Sequence, residues 1–230
     1  MLTYFVLPNS LDTADFLTDE ERALAIARQF GVEHGTGNKE GQEKFAWTEV
    51  WRAFRYPLTW LTACAYFGLL SAIYSVGLFL PTIIVRLGYT AHEAQLMTVP
   101  PYAIAACTTL AVAYGSDRLK VRGIMMLCVM PIAVIGYAVI ANLEGDHPKV
   151  KYGMTIMMTV GIYSSVPPNL AWLSNNSAGH YKRATAAALQ LAIANCGGIL
   201  AAFLYPDVDG PNFHRGHSIV LGLLVGGWFL

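Results

Sequence analysis

The chain has 230 residues, of which 55% are hydrophobic and only 13% charged, with a mean hydropathy of +0.44, a composition that excludes an ordinary soluble domain. Its 15 Lys and Arg balance its 15 Asp and Glu, so no net field recruits nucleic acid or an acidic surface, and nucleic-acid binding is excluded as a function class. Half of those charges fall before residue 56, and the rest sit in short clusters between long uncharged tracts, as a bilayer requires.

Met1 to Leu7 is apolar but lacks a basic flank and a small-residue cleavage site, and Pro8 ends it, so it does not read as a signal peptide. Thr18 and Glu21 have the capping-box spacing and precede the run ERALAIARQF, which predicts a helix over about 18–30. The stretch Gly31 to Gly41 reads as a linker. Phe45, Trp47 and Trp51 then predict an amphipathic approach to the membrane, with Arg52 and Arg55 toward the cytoplasm. Residues 1–55 thus form one polar segment ahead of a membrane domain at 56–230.

No Asp, Glu, Lys or Arg occurs in 56–85, 94–116, 123–143, 152–181, 184–206 or 216–230. A spanning helix needs about 20 mostly apolar residues. The spans are therefore placed at about 57–85, 95–116, 123–143, 152–174 and 184–206, with a sixth, 216–230, too short to cross comfortably. The fold class is an all-α membrane protein in contact with membrane lipid, because a soluble fold of this size cannot hide five helices that are apolar all round. Lys44, Arg52, Arg55, Arg118, Lys120, Arg122, Lys182 and Arg183 fall on one side, against Arg86, Lys149, Lys151 and Arg215 on the other. That bias puts the N-terminal segment and the 117–122 loop in the cytoplasm.

Cys64, Cys107, Cys128 and Cys196 all lie in spans without paired spacing and read as small buried hydrophobes, with neither disulfide nor metal site. Ala194, Gly198 and Ala202 at four-residue spacing, and Ala103, Ala106 and Ala113 in the second span, read as helix-packing stripes. His214 and His217, near Asp207 and Asp209, read as parts of an exposed loop rather than a metal site. Asn175, Asn176 and Ser177 match a glycosylation sequon, inert on a cytoplasmic end. No span carries a carboxylate pair, a His cluster or a nucleophile with its base, so the chain is not read as an enzyme and no cofactor is expected.

Several segments, among them FLTDEERALAIAR, FAWTEVWRAFRYPLTWLTACAYF, FLPTIIVRLGYTAHEAQLMTVPPYAIAA, YGSDRLKVRG, LAWLSNNSAGHYKRATAAALQLAIANCGGILAAFLYP and GPNFHRGH, resemble fungal members of the major facilitator superfamily, within it the anion:cation symporters of the allantoate permease-like group. The resemblance covers nearly the whole chain and corresponds to the central loop and C-terminal half of a twelve-span carrier. It implies proton-coupled alternating-access transport of a small organic anion, such as a carboxylate, ureido acid or vitamin-like compound, at the plasma membrane. It also implies that the six-span N-terminal half is missing and that this chain is half of a carrier. The alternative is a non-transporting membrane fragment that only associates with other helices.

The resemblance assigns Asp117, Arg118, Lys120 and Arg122 to a gating loop, in which a carboxylate and a guanidinium pair in one conformer and part in the other; Ala113 and Lys120 stand where the family pattern prefers Gly. Under the inverted repeats of such carriers, Ile73, Tyr74 and Ser75 of the first span recur as Ile162, Tyr163 and Ser164 of the fourth. Tyr74 precedes Arg86 by twelve residues and Tyr163 follows Lys151 by twelve. Both therefore sit about 18 Å from the charged edge of a core of about 30 Å, near its midplane. Pro81, Pro167 and Pro168 loosen the ladder beside them. Tyr74, Ser75, Tyr163, Ser164, Asn169 and Gln190 are the candidate substrate contacts, whereas Asn195 is read as an interhelical packing group. With no Asp, Glu, Lys or Arg in a complete span, a proton carrier is expected in the missing half.

Overall fold

The computed structural model describes residues 18–21, 23–24, 46–86, 88–143, 147–206 and 213–230, the Arg86 side chain excepted. The start at 1–17, most of the helix expected at 18–30, the linker at 31–41 and the aspartates at 207 and 209 lie outside the described residues. At the edge of that region the capping box forms: Thr18 Oγ1 donates to Glu21 Oε2 at 2.9 Å and the Glu21 amide donates to Thr18 Oγ1 at 3.4 Å. The Thr18 amide and then its hydroxyl hold the Glu21 carboxyl below its usual range.

The described residues are helical with turns between them and contain no strand. An amphipathic α1, Trp47–Arg55, leads through the extended Tyr56 into α2, Pro57–Arg86; Pro at the first helical position fixes that start. A second capping box, Thr90 with Glu93, opens the short α3, Ala91–Leu96, before α4, Val99–Leu119. Next come α5, Arg122–Asn142, and then α6, Pro148–Ser164, and α7, Val166–Asn176, which meet at Ser165. Helices α8, His180–Asn195, and α9, Gly197–Ala202, meet at Cys196, and α10 is His214–Phe229.

Among the described residues, four helical stretches, Pro57–Val85, Ala91–Leu119, Arg122–Asn142 and His180–Ala202, are long and apolar enough to cross a membrane. The fourth expected span is instead delivered as two helices, since Pro167 and Pro168 cannot donate to the carbonyls four residues back. Pro81 and Pro131, by contrast, lie inside continuous helices.

Helix α2 is central, with 56% of its apolar window buried against 11% for Ala91–Leu119. It packs on α8, α9 and α10, while α5 packs on α6 and α10, and α6 on α4. Without an apolar driving force between helices in lipid, close approach relies on small residues. A Cβ added at Gly161 would stand 2.4 Å from the Ala133 backbone nitrogen, and one at Gly68 would stand 2.6 Å from the Leu223 carbonyl oxygen. Two of the expected packing stripes are corrected. Ala194, Gly197 and Ala201 are buried while Ala202 is exposed, because the helix is interrupted at Cys196 and a four-residue spacing counted through it loses its face. Ala103 and Ala106 are exposed, since α4 packs chiefly on one side. The four cysteines are exposed as well rather than buried: the outer face of a bundle in lipid is as apolar as its core, so a small hydrophobe gains nothing by turning inward.

Two predictions follow from the packing and the turn. Gly161→Ala should lower stability by about 1–3 kcal/mol, through overpacking against backbone, while Gly153→Ala on the same helix, where nothing lies within 4 Å of the added atom, should not; thermal melts followed by circular dichroism in detergent check both. Lys120 ends α4 in the left-handed region at φ 56°, which a side chain disfavours by about 1–2 kcal/mol. Lys120→Gly should therefore melt no lower than the native chain and Lys120→Val clearly lower.

Candidate functional site

The interruption at Ser165 concentrates uncharged polar groups inside the bundle. Ser165 Oγ donates to the Gly161 carbonyl at 2.7 Å, and Ser164 Oγ donates to Thr108 Oγ1 at 3.0 Å across to α4, with Thr109 Oγ1 at 3.4 Å. Just before the break, the half-buried Tyr163 ring meets the half-buried Tyr102 ring edge-on, with centroids 5.8 Å apart. One turn into α7, Asn169 accepts at Oδ1 from Gln190 Nε2 of α8 at 2.8 Å. Both amides are buried, and Gln190 Oε1 has no hydrogen-bond partner. A buried acceptor left open costs about 1–3 kcal/mol, so this pair is not fully satisfied within the bundle.

On the first span, Tyr74 Oη donates to Asn195 Oδ1 of α8 at 2.5 Å, and its ring lies against Gly198, where a Cβ would come within 3.3 Å. Asn195 also donates to the Leu191 carbonyl of its own helix at 2.7 Å, so its side chain ties α8 to α2 through Tyr74. Ser75, the next residue, is buried. The two echoing tripeptides therefore share one arrangement, with the tyrosine half-exposed and the serine in the core. Each tyrosine is nonetheless held by a different partner, Tyr74 by α8 and Tyr163 by α4.

At the end of the bundle that carries Lys120, Arg122 Nη2 pairs with Asp117 Oδ1 at 2.8 Å, and Arg122 Nη1 donates to the Ala171 carbonyl of α7 at 3.2 Å. Arg122 thus links the end of α4 to α7, a junction that can open by losing one ion pair and one hydrogen bond. Arg118 turns away and donates to Tyr114 Oη at 2.9 Å. The tight turn forms at Lys120 without Gly. Nearby, Lys182 Nζ lies 3.8 Å above the Tyr56 ring, and the buried Ala53 packs with Leu173 and Ala186, so α1 is seated on the same end.

Among the described residues no group of three His, Cys, Asp or Glu side chains is placed to hold a metal ion. The expectation that His217 lies in an exposed loop is corrected: it is in α10 and 1% exposed. Its Nδ1 is 3.1 Å from Tyr205 Oη. His214, one turn earlier, is the exposed member of the pair, and its Nδ1 contacts the Ala141 carbonyl of α5. The three-residue spacing of the two histidines marked a shared helical face; what concealed it was the start of α10, set by Phe213 in the left-handed region at φ 47°. Tyr102 and Thr108, which face the Tyr163 and Ser164 pair, carried no sequence signal beyond their polar character in an apolar tract.

Residues 14–202 match the family model of the Major Facilitator Superfamily. The chain is 36% identical over 227 residues to an uncharacterized transporter of Schizosaccharomyces pombe, covering 98% of this chain and 44% of the relative. It is 33% identical over 227 residues to the high-affinity nicotinic acid transporter of Saccharomyces cerevisiae, covering 98% of this chain and 41% of the relative. A third relative, an MFS transporter of a fungal species, is 31% identical over 226 residues, covering 97% of this chain and 45% of its own length. The chain thus spans less than half the length of these curated relatives. With its long charge-free tracts, its broken fourth span and the ion pair between the end of α4 and α5, this integral membrane chain belongs to the major facilitator superfamily.

Proposed function

We propose that this chain forms the C-terminal half of a secondary transporter for a small organic anion, a carboxylate, ureido acid or vitamin-like compound, coupled to protons and working by alternating access against an N-terminal six-span half. The observation that carries this reading is the break at Ser165. It leaves Tyr163 half-exposed against Tyr102 on one side of the break and the buried Asn169 and Gln190 pair, whose Oε1 has no partner, on the other, inside a charge-free tract where polar groups are costly without a role. Tyr74, Tyr163, Asn169 and Gln190 meet the substrate, and Ser75 and Ser164 stand behind the two tyrosines. Asp117, Arg122 and the Ala171 carbonyl form the gate, with Arg118 and Lys120 flanking it. The nicotinic acid transporter among the relatives supports an anionic substrate. Residues 1–55 form the cytoplasmic segment before the membrane domain at 56–230, and the plasma membrane is the site of action.

Uptake tests the proposal. Proteoliposomes holding the chain together with the N-terminal half of the Saccharomyces relative should take up labelled nicotinate or a related anion saturably when the outside is acid, and should ignore the neutral nicotinamide. No anion-selective uptake under either pH gradient would sink the reading in favour of a membrane protein that only associates with other helices. In the active assembly, Tyr74→Phe and Tyr163→Phe should each weaken uptake several-fold, since one hydrogen bond is worth about 1 kcal/mol, with insertion unchanged. Native kinetics in both would return the tyrosines to packing.

Orientation has its own test. In a background without native cysteines, Lys149→Cys should react with an impermeant thiol reagent applied to intact cells, and Lys120→Cys should be protected; the reverse pattern overturns the assigned topology.

A further inference from the structure

Five histidines fall among the described residues, and His92, His147, His180 and His214 are exposed while His217 is enclosed. The groups facing His217 come from every element packed on α10. Tyr205, in the turn after α9, brings its hydroxyl to Nδ1 at 3.1 Å and its ring edge-on at 5.2 Å. From α5, the Tyr137 ring lies 6.0 Å away, and its hydroxyl is fully buried without a hydrogen-bond partner. Helix α2, which has no Asp, Glu, Lys or Arg between 56 and 85, lays the Phe79 ring 4.8 Å from the Tyr205 ring and, one turn earlier, brings Ser75, whose buried Oγ has no hydrogen-bond partner. On α10 itself the neighbours are His214 and Arg215, both exposed at the start of the helix.

We propose that His217, with the hydroxyls of Tyr205, Ser75 and Tyr137, is a buried proton-binding site, loaded from water through His214. The two unpartnered oxygens are what the chemistry needs. With His217 neutral and Nδ1 bare, the Tyr205 hydroxyl donates to Nδ1. When a proton arrives, Nδ1–H donates to the Tyr205 oxygen, and the Tyr205 proton swings to another acceptor. Ser75 Oγ, held open in the core, supplies that acceptor. The step adds one proton from water, breaks no covalent bond and reverses the direction of one hydrogen bond. His214 sits one turn toward the end of the helix on the same face, so an exposed imidazole stands at the rim. On the orientation proposed above, that rim faces outside. The role of the site in coupling rests on the transport reading; its titration does not.

The test uses the 230-residue chain in lipid nanodiscs with isotopically labelled histidine, following the ring resonances between about pH 4 and 9. The His217 signal, assigned by its loss in His217→Gln, should titrate as a population separate from the exposed imidazoles. Tyr205→Phe and Ser75→Ala, which preserve packing volume and are checked for unchanged helix content, should each move its midpoint by about one pH unit and leave the other histidines in place. A His217 ring that keeps one protonation state across the range, or a midpoint indifferent to both substitutions, overturns the site. In the reconstituted assembly, His217→Gln should abolish the acceleration of anion uptake by external acid while anion exchange persists. If the native assembly shows no uptake at all, the transport reading fails and the titration alone still decides the site; if uptake is proton-driven and His217→Gln leaves that drive intact, the coupling role fails.

Discussion

A backbone carbonyl without its amide has no water to turn to inside a bilayer, and the prolines of this chain decide where that problem arises. Pro131 cannot donate to the Leu127 carbonyl four residues back. Helix α5 stays continuous, and Trp228 of α10 donates its indole proton to that carbonyl at 3.3 Å. At Pro167 and Pro168 two successive amides are missing, and the helix ends and restarts at Ser165. Paired prolines thus turn one membrane crossing into two helices, and that junction is the point where Tyr163 is left half-exposed among hydroxyl and amide groups.

The same constraint explains the character of the polar groups. With no carboxylate or ammonium in the charge-free tracts, hydroxyls and amides link the helices: Ser164 with Thr108 joins α6 to α4, Asn169 with Gln190 joins α7 to α8, and Tyr74 with Asn195 joins α2 to α8. Each is a neutral contact of the modest strength that hydrogen bonds between membrane helices have. Full charges are kept to the helix ends, where Asp117 and Arg122 pair partly in solvent. The bundle therefore has neutral links in its middle and an ion pair at its end.

Glycine supplies the third element. Where α5 crosses α6, and where α2 crosses α10, glycine lets backbone meet backbone, and Tyr137 of α5 and His217 of α10 are buried in the same bundle. Tight crossings and an enclosed polar cluster are thus two sides of one packing solution.

The membrane class, the four apolar stretches near 57–85, 95–116, 123–143 and 184–206, the capping box at Thr18 and the loop charges were legible in the residues because each depends on local composition or on spacing within one helix, whereas the stretch expected at 152–174 is two helices. The proposed depth of Tyr74 and Tyr163 near the midplane is likewise a count of residues along a helix of known rise. The partners of those side chains could not be read. That Tyr74 meets Asn195, that Gln190 meets Asn169, and that His217 turns inward to Tyr205 depend on which helices are neighbours and how they are rotated. In a uniformly apolar helix no amphipathic pattern records that rotation. The exposed cysteines and the shifted alanine face have the same origin, since lipid and core are alike to an apolar side chain and only the packed bundle separates inside from out.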